Sequence, residues 1–242
     1  MAADLARQNK RVLMLDTDLG LANLHIFANT EPHGRLESVL AGGTELDFAV
    51  TPLSTGCDLL AADNGQNLCL LPGNQAADAL ARTLGVLTTR YDYVLVDTPR
   101  GLNEAALQFC RACDLTVLVT TEEPTALTNS YSWYKVATLA THRFPICMVA
   151  NESADSGLEG RFTSLCRRFL GHAPLWAGSV PFDPQVPIAV ARQEAVFTRA
   201  PEAPYWLAVK QLTKKLQELV QQPLNAVPDE RRDDAHAAEN PC

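Results

Sequence analysis

Short apolar runs alternate along this chain with longer stretches of helical periodicity, and this alternation restricts the possible fold more than any other feature. Strands separated by helices of such length are joined by βαβ crossovers, which favour a parallel sheet. We therefore predict an α/β fold, a mainly parallel sheet with helices on both faces. The predicted strands are Val12 to Leu15, Leu68 to Leu71, Tyr93 to Val96, Leu115 to Thr120, Ile146 to Ala150 and Leu175 to Val180. The predicted helices are Gln75 to Arg90, Asn103 to Arg111, Pro124 to His142, Leu158 to Gly171 and Tyr205 to Gln221.

The chain length suits a single large domain. Its 242 residues can bury a sizeable core, and we assign residues 1–222 to the α/β domain. From Pro223 onward the sequence is rich in charge, Ala and Pro and holds few large apolar residues. Such a segment cannot bury enough surface to order itself, so residues 223–242 are predicted to be a disordered tail.

Charge and cysteine content argue against several classes of protein. A net charge of -8 disfavours a general nucleic-acid surface. Arg161, Arg167 and Arg168 form the only dense basic cluster before the tail, and a solvated helix face is the simpler interpretation. The odd number of cysteines is typical of reduced thiols, and the Cys110/Cys113 pair lacks further ligands for zinc. No transmembrane run or signal peptide is evident in the sequence, and the predicted location is the cytoplasm.

Acidic residues end two of the predicted strands. The first strand, in RVLMLDTDLGLAN, runs into Asp16 and Asp18, and the strand in YDYVLVDTPRG runs into Asp97. Ligands of open α/β sheets bind at the carboxyl ends of strands, where acids can hold a metal ion, a water or a phosphate-bearing ligand. In nucleotide triphosphatases an acid in this position holds the Mg²⁺ that bridges two phosphates. The alternative is that Asp16 or Asp18 caps the next helix.

Three stretches carry a resemblance to a known family. KRVLMLDTDLGLANLHI, YDYVLVDTPRGLNEAALQFCRACDLTVLVTTEEPTALTNSY and GSVPFDPQVPIAVARQEAVF resemble the MinD/ParA superfamily of deviant P-loop ATPases. Within it they are most similar to the MinD-like regulators of flagellar number and placement, the FlhG/FleN group. The resemblance extends from about residue 3 to about residue 220 and implies a P-loop NTPase-like fold of the MinD type, with ATP and Mg²⁺ as cofactors.

The resemblance also implies roles for individual residues. Asp16 and Asp18 match an acidic motif in which the second acid lies near the attacking water and the first supports the metal shell. Asp97 matches the Mg²⁺-associated acid. Thr98 to Gly101 match the switch that senses the γ-phosphate, with a departure at Arg100, where the family has a second proline.

The base-binding residues are likewise implied by the resemblance. Asn151 matches the asparagine that reads the adenine edge, and an amide offers both a donor and an acceptor for that task. Pro181 and Asp183 lie where the family encloses the base from the other side. A structural interpretation stays open, in which Asn151 ends a strand and Pro181 begins a turn.

The family's glycine-rich phosphate loop, K-G-G-x-G-K-[ST], is not present in the 242 residues. MAADLARQNK resembles the second half of the helix that follows this loop, so the chain as given lacks the first strand and the P-loop. In the family that strand is interior to the sheet, and its loss would leave unpaired backbone groups at roughly 1–3 kcal/mol each. We therefore expect the reading frame to begin upstream of Met1, which upstream sequence would test.

Three functional hypotheses follow from the resemblance. The first is an ATP-dependent switch that forms a homodimer and regulates flagellar number or placement through a flagellar regulator or assembly protein. The second is a nucleotide-deficient MinD-like adaptor that acts through protein contacts. The third is a ParA-type partition or cellulose-synthesis-associated ATPase. Membrane association is not favoured, because the apolar residues of the last predicted helix also suit packing against the domain.

Overall fold

A computed structural model describes residues 1–18, 21–63, 73–140, 145–154 and 157–221. The helices are α1 (Ala2–Arg7), α2 (Leu24–Phe27), α3 (Leu36–Leu40), α4 (Leu46–Ala49), α5 (Gly73–Arg90), α6 (Glu104–Ala112), α7 (Pro124–Ala140), α8 (Leu158–Leu170), α9 (Gln185–Ala191), α10 (Val196–Arg199) and α11 (Pro204–Gln221). The strands are β1 (Val12–Asp16), β2 (Thr51–Pro52), β3 (Asp58–Leu60), β4 (Tyr93–Asp97), β5 (Thr116–Thr120), β6 (Ile146–Asn151) and β7 (Leu175–Val180).

The chain divides into two compact units. The first contains Met1–Phe109 and Asp183–Thr213, and the second contains Cys110–Phe182 and the chain from Lys214 onward. Each unit has its own hydrogen-bonded sheet, of four strands in the first and three in the second among the described residues.

The sheet of the first unit has the order β2-β3-β1-β4. Strand β1 is parallel to both β3 and β4, and the short β2 is antiparallel to β3. Alternate residues of β1 point to opposite faces, as strand geometry requires. Leu13 and Leu15 pack in a core cluster with residues of α3 and α5, whereas Val12 packs with Leu5 of α1 and with Cys57. Helices therefore cover both faces of β1, which explains why its sequence is apolar throughout.

The sheet of the second unit is parallel, in the order β5-β6-β7. Strand β6 is central, and its first five residues are buried. The register between β6 and β7 shifts at Met148/Val149, so that Asn151 at the end of β6 pairs with Val180 at the end of β7. Helices α7 and α8 belong to this unit, and α8 buries Leu158, Phe162 and Cys166 along one stripe.

The α/β class and the mainly parallel strand arrangement are confirmed. The predicted strands beginning at Val12, Tyr93, Leu115, Ile146 and Leu175 are observed with bounds that differ by at most one residue. The predicted strand Leu68 to Leu71, the end of the helix predicted to reach His142, and the predicted tail 223–242 lie outside the described residues. The sequence analysis missed strands β2 and β3 and the short helices α2, α3, α4, α9 and α10.

The last helix, α11, buries Trp206, Leu212 and Leu216 and exposes Lys210, Lys214 and Lys215. This distribution fits the packing interpretation of its apolar stripe. In the part of the chain that the structure describes, none of the helices has the length and apolar content that a membrane crossing needs.

Candidate functional site

The acids predicted at the strand tips come together at one edge of the first unit's sheet. Asp16 ends β1, Asp97 ends β4, and the two residues are direct partners in the parallel register. Asp18 follows Asp16 by two residues. The hydroxyl of Thr17 donates to the backbone carbonyl of Asp97 (2.7 Å), and the Thr17 N–H donates to the same carbonyl (3.0 Å). These bonds fix the chain after β1 against the end of β4.

Asp16 organises the backbone that follows it. Its side chain is fully buried, and one carboxylate oxygen accepts from the N–H of Asp18 (3.1 Å). The other oxygen accepts from Asn23 (3.1 Å), the N-cap residue of α2, and from Leu24 (3.2 Å), its first residue. A buried carboxylate with three such donors is well compensated for its lost hydration. The helix-capping alternative therefore holds for Asp16, which anchors the N-terminus of α2 from a distance.

Asp97 carries the electrostatic signature of the acid cluster. Its pKa is raised, first by partial desolvation and then by the negative charges of Asp16 and Asp18, while Arg100 opposes the shift. Like charges that face one another disfavour ionisation, which is the expected result of placing carboxylates at adjacent strand tips. The three acids therefore share one electrostatic environment, in which a cation would be stabilised.

The cluster suits magnesium held together with phosphates better than a metal held by protein alone. Among the described residues, no group of three His, Cys, Asp or Glu side chains is placed to hold a metal ion by itself. Magnesium in phosphate-binding sites uses one or two carboxylates and completes its shell with waters and phosphate oxygens. Asp97 is exposed and Asp18 is half-buried, so both can offer oxygens, whereas the oxygens of Asp16 already accept backbone bonds.

The segment after β4 forms a turn leading into α6. Gly101 has φ +84°, a left-handed conformation that glycine adopts without strain. Asn103 accepts from the N–H of Ala106 (2.9 Å) as the N-cap of α6, and its amide donates to the carbonyl of Arg100 (3.3 Å). Thr98 follows Asp97 directly and is half-buried. The segment predicted as a switch is therefore followed by Asn103, whose side chain caps the N-terminus of α6.

The residues predicted to bind the base are assigned to both units. Asn151 and Pro181 belong to the second unit, at the carboxyl ends of the neighbouring strands β6 and β7. The chain beyond Asn151 returns to β7, because the N–H of Ser153 donates to the carbonyl of Val180 (3.1 Å). Glu152, which lies between Asn151 and Ser153, has a left-handed φ of 53°.

Asp183 belongs to the first unit and has a structural environment. Its side chain is buried, one oxygen accepts from the N–H of Gln185 (2.9 Å), and the other accepts from Tyr205 (3.2 Å). One carboxylate thereby ties the first turn of α9 to the first turn of α11. Each carboxylate oxygen accepts one backbone N–H and has a second lone pair, so the base-binding role of Asp183 stays a prediction.

Two residues of this region were missed by the sequence analysis. Thr17 was passed over because a hydroxyl within an acidic motif gives no signal of its long-range carbonyl partner. His25 on α2 is buried, and its Nδ1 has no hydrogen-bond partner within the described ranges. Burial and Arg35 lower the pKa of His25, while Asp16 acts in the opposite direction. A histidine between apolar residues of a short helix gives no pattern by which to find it.

Comparison with known proteins supplies the family. No family model matches the chain. The antiactivator FleN of Pseudomonas aeruginosa is 31% identical over 222 residues, which cover 89% of this chain and 79% of FleN. The chain belongs to the MinD/ParA family. Within the family it is FleN/FlhG-like, and the flagellum site-determining protein YlxH of Helicobacter pylori is 30% identical over 164 residues, 67% of this chain and 54% of YlxH.

A solved structure supports the fold. The septum site-determining protein MinD of Pyrococcus horikoshii, in complex with Mg-ADP, superimposes with a TM-score of 0.70 at 21% identity. The match covers 91% of this MinD/ParA chain and 88% of the archaeal protein. The P-loop NTPase-like α/β fold expected from the sequence is therefore confirmed.

Proposed function

We propose that this MinD/ParA protein regulates flagellar number or placement. The observation that carries the proposal is the 31% identity with the antiactivator FleN, which extends over 89% of the chain. The similarity to a flagellum site-determining protein points to the same process. By analogy, the partner is a flagellar regulator or assembly protein, bound by the family's ATP-dependent homodimer.

The acid cluster supports a nucleotide-dependent switch with ATP and Mg²⁺. In this proposal Asp97 contributes to the magnesium shell, Asp16 supports that shell, and Asp18 lies near the attacking water. Magnesium, when bound, would compensate the charge of the phosphates. The repulsion that raises the Asp97 pKa supports the proposal, since a cation relieves it. The MinD of P. horikoshii was solved with Mg-ADP, which supports the same cofactor class here.

The remaining proposed contacts follow the family motif. Thr98 to Gly101 act as the switch segment, in which Gly101 adopts a left-handed φ that other residues rarely reach. Asn151 offers the amide that reads the adenine edge, and Pro181 borders the base. Asp183 lies beside the base on the other side, and its carboxylate also joins the backbone of α9 and α11.

Calorimetry of the 242-residue chain with ATP and Mg²⁺ separates the switch from the adaptor. Saturable binding that weakens in Asp18→Ala or Asp97→Ala supports the switch. Saturable binding of equal strength with and without Mg²⁺, and of equal strength in the parent and in both variants, would remove the acids from nucleotide binding.

Flagellar counts test the process itself. Expression in P. aeruginosa lacking FleN should restore a normal number of flagella per cell. Unchanged flagellar counts with a stably expressed protein would overturn the flagellar assignment, whatever the calorimetry shows.

A further inference from the structure

The turn that follows strand β6 is tied to the chain on both sides of it. Towards β7, Asn151 pairs with Val180, and the N–H of Ser153 donates to the carbonyl of Val180 (3.1 Å). Towards β5, the N–H of Ala154 donates to a carboxylate oxygen of Glu122 (2.8 Å). All five residues belong to the second unit. The segments at the ends of β5 and β7 therefore fix where this turn lies.

The bond from Ala154 to Glu122 links residues that are 32 positions apart along the chain. Glu122 follows the end of β5 by two residues, and both partners of the bond are exposed. A bond between exposed groups contributes little to the free energy of folding, because water competes for the donor and for the acceptor. A carboxylate nevertheless holds an N–H more firmly than a neutral acceptor does. The effect of this bond is therefore local, on the turn itself.

The backbone of the turn connects the Glu122 bond to Asn151. Glu152 has a φ of 53°, a left-handed conformation that residues other than glycine adopt only when neighbouring contacts hold them there. It lies between Asn151 and the two anchored N–H groups of Ser153 and Ala154. Loss of an anchor allows Glu152 to relax to a common backbone conformation, and this relaxation would move the chain directly after Asn151.

The side chain of Asn151 is placed where a shift of the turn matters. It is half-buried at the carboxyl end of β6, the central strand of its sheet. Ligands of open α/β sheets bind at this end of the strands. An amide recognises the edge of a base only when its donor and its acceptor are both directed at that edge, so recognition is sensitive to small movements of the residue.

We propose that Glu122 is a positioning residue for base recognition, which holds the turn after β6 so that the Asn151 amide is oriented towards an adenine base. The inference rests on the proposed base-binding role of Asn151. Glu122 acts through the backbone of the turn and not on the nucleotide. It therefore contributes to the affinity for the base and not to the affinity for the phosphates.

Calorimetry with two ligands separates these contributions. The full chain is titrated, in the presence of Mg²⁺, with ATP and with inorganic tripolyphosphate, which has the phosphates but no base. Glu122→Ala should weaken ATP binding by about tenfold and leave tripolyphosphate binding unchanged. Glu122→Gln keeps an acceptor oxygen for the Ala154 N–H and should bind ATP within about twofold of the parent.

A matched control and a double variant locate the effect. Asp114→Ala removes an exposed carboxylate that precedes β5 by two residues, at the opposite end of the strand from Glu122, and should bind both ligands as the parent does. Asn151→Ala should also weaken ATP binding selectively. The double variant should bind ATP as Asn151→Ala alone does, because residues that act through one contact are not additive.

Hydrogen exchange of the nucleotide-free chain, measured by NMR, tests the contact itself. The Ala154 amide should exchange on the order of tenfold faster in Glu122→Ala than in the parent, while the amides of β6 keep their protection. Asp114→Ala should leave the exchange of Ala154 unchanged. Exchange of Ala154 that is equal in the parent and in Glu122→Ala would overturn the inference.

The binding measurements can also overturn it. Equal weakening of ATP and tripolyphosphate binding by Glu122→Ala, or additive effects in the double variant, would assign Glu122 a general structural role. Weaker ATP binding in Asn151→Ala but not in Glu122→Ala would overturn the inference and leave the base role of Asn151 standing. A parent chain that binds ATP no more tightly than tripolyphosphate would remove base recognition together with this inference, and the Mg²⁺ comparison would then decide the role of the acids separately.

Discussion

At the scale of single residues, the position of Asp97 lowers the stability of the folded protein at neutral pH. Its pKa is raised in the folded protein, so the folded state binds its proton more tightly than the unfolded chain does. The ionised form is consequently disfavoured by folding at neutral pH. Asp97→Asn should therefore stabilise the metal-free protein at neutral pH, by on the order of 0.5 kcal/mol after allowance for solvent screening at this exposed position. Urea unfolding measures the difference.

The pH dependence provides the check on this prediction. The advantage of Asp97→Asn should disappear as the pH falls below the ordinary aspartate pKa, where the parent side chain is protonated in both states. An advantage that stays constant at low pH would mean that packing, not charge, causes it. Addition of Mg²⁺ should stabilise the parent more than the variant if Asp97 contributes to a magnesium site.

Asp92 gives a control of opposite sign. Arg11 lowers the pKa of Asp92 to about 2 through a side-chain bond of 2.8 Å and a backbone N–H bond of 2.8 Å. Its ionised form therefore stabilises the fold above the unfolded pKa, and this contribution is lost as the pH falls through the folded value. Asp92→Asn should lower stability at neutral pH. A gain in stability from both asparagine variants would indicate a general effect of net charge.

The strand-tip acids show how far residue-level prediction reaches. A short apolar run that ends in an acid identifies the end of a parallel strand, so the positions of Asp16 and Asp97 could be read from the sequence. The different roles of Asp16 and Asp97 could not be predicted from the sequence. Asp16 accepts hydrogen bonds from the N–H groups of Asn23 and Leu24, which lie 7 and 8 residues further along the chain. The hydrogen bond from the Tyr205 N–H to Asp183 could not be predicted either, because the two residues are 22 positions apart along the chain.

At the scale of elements, Asp16 and Asp18 should separate into a structural and a chemical residue. Asp16→Ala removes the acceptor for three backbone donors and leaves N–H groups of α2 unpaired. We expect a destabilisation of about 2–3 kcal/mol, since hydrogen bonds to a buried charge exceed ordinary ones. Asp18→Ala should stay within about 0.5 kcal/mol of the parent. Chemical denaturation of both variants in the absence of nucleotide measures this difference.

Equal stability of the two alanine variants would contradict this division. Asp16→Asn is the informative intermediate, because it keeps the side-chain shape but has one acceptor oxygen where the carboxylate has two. Its stability should lie between those of Asp16→Ala and the parent.

The link between α9 and α11 depends on Asp183. Its carboxylate accepts from the first turn of each helix, and loss of such a cap typically costs about 1–2 kcal/mol per helix. Asp183→Ala should therefore lower the free energy of unfolding by about 2–3 kcal/mol in thermal or urea melts. A destabilisation below about 0.5 kcal/mol, together with weaker nucleotide binding, would instead return Asp183 to the base-binding role.

Element lengths explain which parts of the fold were predictable. Strands of five or six residues carry a recognisable apolar run, and β1, β4, β5, β6 and β7 were found. Strands β2 and β3 span two and three residues and are joined by a turn that ends at Gly56, so no run is long enough to recognise. Helices α2, α4 and α10 have four residues each and show barely one helical period.

At the scale of the whole molecule, both sheets have edge strands that pair on one side only among the described residues. Strand β1 pairs on both sides within its unit, and so does β6 within the other. In the described part of the chain, β4 pairs with β1 alone and β5 with β6 alone. Val119 of β5 is 57% exposed, whereas the first five residues of β6 are all buried. Apolar strands at an edge are unusual, because they offer unpaired backbone groups to any other strand.

Hydrogen exchange reports whether these edges are free in solution. We expect the slowest-exchanging amides in β1 and β6, and faster exchange at the amides of β4 and β5 that point away from their partner strands. Each sheet carries its own internal standard, because β1 is compared with β4 and β6 with β5. Protection in β4 equal to that in β1 would contradict the prediction and would mean that another strand pairs with the side of β4 that faces away from β1.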